Sequence, residues 1–203
     1  MSPAQKPRSA SPEPVALYDH AEDNLRYIRA TMENATSFTG VSGKGYVLAG
    51  FSALIAAWLA ARQSTHAAWL LVWMLEMLLA GGTALCMTAV KASRQGKPLW
   101  SNSGRKLLLA FIPAMTAGGV LTLALFLRND TSLLPGIWLS LYGAAVMTAG
   151  VWSVRILPLM GALFLLAGAL VLLTPVPSDL MLGLGFGGLH IVFGILVWRH
   201  HGG

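Results

Sequence analysis

Three polar side chains within long apolar stretches could carry chemistry: Glu76, Tyr142 and His190. A charged carboxylate at the centre of a bilayer costs about 2.5–3.5 kcal/mol on insertion scales, so we expect Glu76 to face other helices. One interpretation of Glu76 is a proton or cation site. The other is a neutral carboxylic acid that hydrogen-bonds to a neighbouring helix. The sequence leaves both open.

His190 follows a cluster of glycines in the segment GLGFGGLHIVFG, and it has three interpretations. As a structural histidine it would bond to Glu76, Tyr142 or a backbone carbonyl. As an axial ligand it would hold a haem or a chlorin, although no second histidine lies deep in an apolar stretch. As a proton relay it would act together with Glu76. The cofactor is therefore unknown, and no metal site is predicted.

Glycines near His190 predict close helix packing, because a helix face without side chains lets a neighbouring helix approach. The predicted helix-packing positions are Gly183, Gly187, Gly188 and Gly194. Other patterns of chemistry are missing from the sequence. There is no Ser-His-Asp order and no pair of catalytic carboxylates, and residues 38–45 (FTGVSGKG) lack the full Walker pattern. We therefore predict that the protein is not an enzyme.

Six apolar stretches must position these side chains, and each approaches the ~17–25 residues that a helix needs to cross a membrane. They cover residues 46–61, 67–90, 107–127, 133–152, 156–174 and 180–198. Composition agrees, with 55% hydrophobic residues and 11% charged residues. We predict an all-α polytopic membrane protein with six transmembrane helices over residues 46–198 and no second folded domain.

The six predicted spans could form three hairpins, because a basic residue precedes spans one, three and five at Lys44, Arg105 and Arg155. The second helix of each hairpin would carry Glu76, Tyr142 or His190. Threefold internal duplication is therefore a hypothesis. Pro113, with glycines one turn later, further predicts a third span that can bend and expose a carbonyl.

Basic residues predict the orientation. If both termini share one side, twelve lysines and arginines lie there, and only Arg62 and Arg128 lie on the other side. Cytoplasmic loops carry the excess of positive charge, so both termini are expected in the cytoplasm of a bacterial inner membrane. This accounts for the net charge of +6 without nucleic acid. The twelve are Lys6, Arg8, Arg26, Arg29, Lys44, Lys91, Arg94, Lys97, Arg105, Lys106, Arg155 and Arg199.

The amino-terminal part divides in two. Residues 1–14 are rich in proline and serine and are predicted to be disordered. Residues 15–38 are predicted to form an amphipathic cytoplasmic helix, because apolar residues recur at three- and four-residue spacing. That stripe consists of Tyr18, Ala21, Leu25, Ile28, Met32 and Ala35. Such a helix could pack against the protein's own cytoplasmic surface, lie at the membrane interface, or bind a partner protein or a second copy.

Residues 27–45 (YIRATMENATSFTGVSGKG) and 185–199 (GFGGLHIVFGILVWR) resemble an uncharacterised family of bacterial six-span integral membrane proteins. The resemblance implies membrane-linked signalling, since genes of this family often neighbour one for a small winged-helix regulator. It implies no activity and no residue roles. The positions in the family pattern are Tyr27, Arg29, Glu33, Phe38, Thr39, Gly188, His190 and Gly194. Of these, Tyr27, Arg29 and Glu33 are our candidates for facing a partner.

Together these observations predict a non-enzymatic membrane sensor, or an accessory subunit of a membrane complex. It would act through its cytoplasmic face, namely the tail and the basic link over residues 91–106. The expected partners are the lipid bilayer and either a cytoplasmic or membrane protein or a second copy, without nucleic acid. One alternative is a small proton-coupled transporter that uses Glu76 and His190. Another is a cofactor-binding subunit with His190 as axial ligand.

Overall fold

A computed structural model describes residues 14–35, 38–96 and 99–201 of the chain. The all-α prediction is confirmed for these residues, among which there are seven helices and no strand. The helices are α1 (Pro14–Ala35), α2 (Gly43–Ala60), α3 (His66–Arg94), α4 (Asn102–Leu127), α5 (Leu134–Gly150), α6 (Leu157–Leu173) and α7 (Ser178–His201). The predicted disordered tail lies outside the described residues, except for Pro14, which begins α1.

The chain divides into two compact units, Met1–Thr36 and Ser37–Gly203. Helix α1 belongs to the first unit, and apart from Pro14 it lies within the predicted amphipathic segment. The charged face of α1 holds an ion pair between Glu22 and Arg26, with 3.1 Å between Oε1 and Nη2. Leu25, Ile28 and Met32 of the apolar stripe are all exposed. These three side chains therefore form an exposed apolar surface on α1.

Four helices of the second unit, α2, α3, α4 and α7, are long and apolar enough to cross a membrane. Helices α5 and α6 are apolar but have only 17 residues each. At 1.5 Å per residue such a helix is about 26 Å long, which is shorter than a hydrocarbon core of about 30 Å. Pro135 and Pro158 fix their first turns, and Gly150 packs against Pro158 at the turn between them. Length and composition therefore indicate four spans out of the six that the sequence predicts.

The helices of the second unit differ in how extensively they pack against one another. Helix α5 packs most extensively against α6, while α2 packs against both α3 and α7, and α4 packs against α5. Two of the predicted hairpins, α2–α3 and α4–α5, are thus pairs of neighbours. In the third, α6 contacts α7 only slightly, and the main neighbours of the two helices are α5 and α2. The three-hairpin arrangement is therefore not confirmed, and the internal duplication remains a hypothesis.

Glycines form the two tightest helix crossings, and on each helix involved they recur seven residues apart. Where α2 meets α7, a Cβ on Gly43 would lie 2.5 Å from the carbonyl oxygen of Gly194. Where α5 meets α6, a Cβ on Gly143 would lie 2.7 Å from the carbonyl oxygen of Gly161. Both distances are shorter than any ordinary Cβ contact, so backbone lies directly on backbone. Gly50 on α2 and Gly136 and Gly168 on α5 and α6 repeat the pattern one heptad away.

Hydrogen bonds between the helix ends and the connections fall into two separate sets. In one set, Thr131 Oγ1 lies 2.6 Å from His66 Nδ1, and Trp69 Nε1 donates to Asp179 Oδ1 at 2.8 Å. These contacts place the start of α3 beside both the α4–α5 connection and the start of α7. The other set surrounds the start of α2 and includes the α5–α6 turn. Consecutive helices of the second unit thus run between two ends of the bundle.

Residues 38–42, which we call the connector, are fixed at the second of these ends. The Phe38 N–H donates to Trp152 O and Ser153 Oγ donates to Phe38 O, both at 2.7 Å. Lys91 Nζ donates to Val41 O at 2.8 Å. Phe38 is part of this non-helical connector because its backbone bonds to the α5–α6 turn. The connector is therefore a mostly buried part of the second unit.

One helix is irregular, and it is not the one that the sequence indicated. Helix α4 continues through Pro113 without a break, so the predicted disruption of the third span is not found. Instead, Gly183–Leu189 of α7 forms a π-helical segment directly before His190. Segments of this kind are frequent at functional sites. The four glycines in seven residues were the sequence signal for this irregularity.

Gly194→Ala is expected to destabilise the protein by about 1–3 kcal/mol, because the added Cβ would overlap the backbone of α2. Gly82→Ala, where a Cβ would meet nothing within 4 Å, is the matched control and should leave stability unchanged or slightly raised. Unfolding of the purified protein in mixed micelles by added denaturing detergent measures both. Equal stability of the two variants would contradict the close crossing of α2 and α7.

Candidate functional site

A cavity of about 320 Å³ lies among α2, α3, α4, α5 and α7. Glu76, Tyr142 and His190, the three polar side chains singled out in the sequence, all contribute to its wall. The remaining lining is mainly apolar and aromatic. Ligand sites have this character, with few polar groups in a mostly apolar surface. The structure thus brings the three predicted residues to one cavity from three different helices.

Tyr142 and His190 form one polar pair on this wall, with 2.6 Å between Oη and Nε2. His190 Nδ1 is buried beside the carbonyls of Gly185 and Phe186, although it makes no hydrogen bond of good geometry. A proton on Nδ1 suits this neighbourhood of carbonyl oxygens. Nε2 then accepts from the hydroxyl of Tyr142. The partner of His190 is therefore Tyr142, which agrees with the structural interpretation of this histidine.

Aromatic rings enclose this pair. The ring of His190 has centroid distances of 5.3 Å to Tyr142 and 5.5 Å to both Tyr46 and Phe164. Phe186, from the π-helical segment, stacks on His190 at 6.2 Å with an angle of 18° between the planes. Rings at these spacings are attracted beyond the effect of burial alone. The imidazole is therefore held in one orientation.

Glu76 lies apart from that pair and is 8% exposed. Ser52 Oγ on α2 donates to Glu76 Oε1 at 2.8 Å. No lysine or arginine lies within ion-pair distance of Glu76 in the described part of the chain, and none lines the cavity. The cavity thus contains an acidic side chain without a cationic partner. Ser52, which holds this carboxyl group, was not predicted, because a serine in an apolar helix gives no signal of its own.

An open groove between α3 and α4 adjoins the cavity. Both pockets are lined by Met74, Met77, Phe111, Met115 and Trp138, and the groove continues along α4 to Gly119 and Phe126. Helices α3 and α4 have mostly exposed surfaces, and α2 and α7 are more buried. Because α3 packs mainly on α2 and α4 mainly on α5, the space between α3 and α4 stays open.

The connector reaches the same cavity. Val41 and Thr88 line it, and Thr88 Oγ1 accepts from the N–H of Ser42, the first residue after Val41, at 3.1 Å. Ser42 in turn caps α2 by accepting from the N–H of Gly45. One wall of the cavity is therefore continuous with the segment that leads back toward the amino terminus. Trp73, also on the wall, has a buried indole N–H without an acceptor among the described residues.

The remaining predicted residues lie elsewhere. Gly183, Gly187 and Gly194 face α2, where an added Cβ would meet Ala57, Leu54 and Val47 respectively. Gly188 faces open space, with nothing within 4 Å of an added Cβ. Tyr27 on α1 is exposed, and the side chains of Arg29 and Glu33 lie outside the described part of the structure.

Both ring nitrogens of His190 lie against other groups of the protein. Its Nε2 already contacts Tyr142, and its Nδ1 lies against backbone, so neither nitrogen is presented as an axial ligand. Among residues 14–35, 38–96 and 99–201 there is no group of three His, Cys, Asp or Glu side chains that could hold a metal ion. The arrangement of His190 therefore does not favour the cofactor interpretation.

Tyr142→Phe is expected to lower the free energy of unfolding by about 1–3 kcal/mol, because His190 Nε2 would lose its partner in a buried site. Tyr27→Phe, at an exposed position of α1, is the control and should have no effect. Denaturation in mixed micelles measures both variants. If Tyr142→Phe were as stable as the control, the hydrogen bond to His190 would have no structural importance.

Comparison of the chain with protein-family models, with curated proteins and with solved structures finds no match in any of the three. We therefore infer the function from the cavity, the groove and the connector.

Proposed function

We propose that this chain is a non-enzymatic integral protein of a bacterial inner membrane that senses the state of the membrane or serves a membrane complex as an accessory subunit. It crosses the membrane six times, with both termini in the cytoplasm. The apolar, exposed surfaces of α3 and α4 support the embedding, because exposed surface this apolar is unfavourable in water. The shortest helices that span a membrane have about 17 residues. Helices α5 and α6 have this length.

The charges at the two ends of the bundle support the orientation. Lys44, Lys91 and Lys106 belong to the end that contains the connector: Lys44 lies 5.1 Å from the ring centroid of Trp198, and Lys106 lies 4.9 Å from that of Trp152. At the opposite end, the Arg62 guanidinium lies over the Trp58 ring at 3.6 Å. Basic residues near tryptophans are typical of membrane interfaces. The end with more basic residues is the cytoplasmic one in this proposal.

A single observation carries the sensor function: the wall of the cavity is continuous with the connector. Val41 lines the cavity, and its neighbours Phe38 and Ser42 bond to Ser153 and Thr88. A molecule that enters the cavity and displaces Val41 would disturb these bonds and move the start of α2. A sensor requires such an element, whose equilibrium both sites can bias. In this proposal the resulting signal leaves through the cytoplasmic segment before α2.

The two segments on which the family resemblance rests also meet in the structure. Gly43, in the first segment, packs on Gly194 in the second, and Phe38 of the first belongs to the connector. This contact supports a shared role for both segments in the proposed signalling.

A proton-coupled transporter is the second candidate, because Glu76 is a buried carboxyl group on the wall of a cavity. Two features favour the sensor. The wide approach to the cavity runs sideways between α3 and α4, whereas a carrier needs access from the two membrane faces in turn. In the other polar pair, the hydroxyl of Tyr142 and Nε2 of His190 bond to each other.

Cysteine labelling tests the topology, because Cys86 is the only cysteine and can be replaced by serine. In that background, a membrane-impermeant maleimide should label Ser64→Cys in intact cells. Gln95→Cys and His200→Cys should react only after permeabilisation, because they lie on the proposed cytoplasmic side. All three positions are exposed. Labelling of Gln95→Cys in intact cells would overturn the orientation, and opposite results for Gln95→Cys and His200→Cys would overturn the number of spans.

Variants of α1 test the proposed output. Replacing Leu25, Ile28 and Met32 together by serine should abolish recovery of a stoichiometric partner from native membranes, because it removes the exposed apolar stripe. Replacing Glu22 and Asp23 by serine changes the charged face and should leave recovery unchanged. Both variants should stay in the membrane fraction after carbonate washing. Undiminished recovery with the first variant would exclude α1 as the output surface.

A further inference from the structure

We infer that the cavity binds a lipid-soluble organic cation, with Glu76 as its counter-ion and the surrounding aromatic rings as its apolar contact surface. The inference rests on the membrane embedding proposed above. It specifies the chemical class of the molecule that the cavity would hold, which the sensor proposal leaves open.

Charge supplies the first argument. Glu76 is almost fully buried on the cavity wall, and its only hydrogen bond in the described structure is the one from Ser52. A buried carboxylate is costly without a cationic partner, and the cavity lining supplies none. Without a cation the carboxyl group avoids this cost by staying protonated, and a bound cation would stabilise its charged form. An anion would face Glu76 with no basic residue to balance it.

The aromatic lining supplies the second argument. Trp69, Trp73, Phe111 and Phe186 line the cavity together with Glu76. Aromatic faces attract cations, and the attraction increases where water is excluded. Such a surface suits a cation whose charge is spread over an apolar body. A small hydrated ion would instead need several oxygen ligands, which this lining does not provide.

The groove between α3 and α4 supplies the third argument. It adjoins the cavity and is lined by apolar side chains such as Met77, Met115 and Leu123. In an embedded protein this groove opens toward lipid, because it lies between the two helices with the most exposed apolar surface. A molecule that enters by this route must dissolve in the membrane. The route therefore favours a large delocalised cation over a polar amine.

The binding test uses tetraphenylphosphonium and tetraphenylborate, two lipid-soluble ions of nearly the same shape and opposite charge. Equilibrium dialysis of the purified full-length chain in detergent should show saturable binding of radiolabelled tetraphenylphosphonium. A separate dialysis with radiolabelled tetraphenylborate should show no saturable binding; the two ions are measured apart because they form an ion pair when mixed. Glu76→Gln keeps the size of the side chain and a partner for Ser52, but it should weaken binding about 30-fold or more, as expected when one partner of a buried charge pair is lost.

Two adjacent glycines provide a matched steric test that leaves Glu76 unchanged. Gly81 lines the cavity and Gly82 does not, and an added Cβ at either would meet nothing within 4 Å. Gly81→Leu should weaken binding of tetraphenylphosphonium several-fold, because its side chain would occupy the cavity. Gly82→Leu should bind as the unchanged protein does. This pair also decides the question if Glu76→Gln fails to fold.

Four results would overturn the inference: no saturable binding of tetraphenylphosphonium, equal saturable binding of tetraphenylborate, undiminished binding by a folded Glu76→Gln variant, or equal binding by the Gly81→Leu and Gly82→Leu variants. None of them would contradict the sensor proposal, which is tested separately by cysteine labelling and by the α1 variants. Conversely, a wrong topology would appear in the labelling experiment even if tetraphenylphosphonium binds.

Discussion

The close crossing of α2 and α7 at Gly43 and Gly194 is the contact on which the rest of this structure depends. It places backbone on backbone at the first residue of α2, directly after the connector. One turn further along α2, Tyr46 meets the ring of His190, which precedes Gly194 by one turn of α7. The same crossing therefore fixes the connector, the orientation of His190 and one wall of the cavity. Helix association in a membrane relies on such close packing, because lipid tails provide no hydrophobic driving force between helices.

A second consequence is the unequal burial of the helices. Two glycine crossings, α2 with α7 and α5 with α6, form the compact centre, while α3 and α4 each pack mainly against one neighbour. The two outer helices have bulky side chains where they approach each other, such as Met74, Met77 and Met115. They do not close on each other as the glycine pairs do. The cavity and its groove thus follow from where glycines occur and where they do not.

The polar groups of the cavity differ in whether the protein supplies them with a bonding partner and a balancing charge. Tyr142 and His190 bond to one another inside a shell of aromatic rings, and only His190 Nδ1 is left without a hydrogen-bond partner among the described residues. Glu76 has a hydroxyl donor from Ser52 but no balancing charge. In a medium that cannot solvate it, the group without a counter-charge is the one that a ligand would stabilise most. This contrast is why the ligand proposal rests on Glu76 rather than on His190.

The sequence by itself determined the helical class, the apolar character of the helices and the three polar residues of interest, because these depend on composition and local spacing. It also predicted the amphipathic segment, whose ion pair between Glu22 and Arg26 depends only on helical spacing. Tertiary structure decided that Tyr142 is the partner of His190, that Ser52 holds Glu76, and that the irregular helix is α7 rather than the one containing Pro113. It also decided that α6 packs on α5 rather than on α7. These outcomes depend on which helix faces approach each other, and spacing along a single helix does not contain that information.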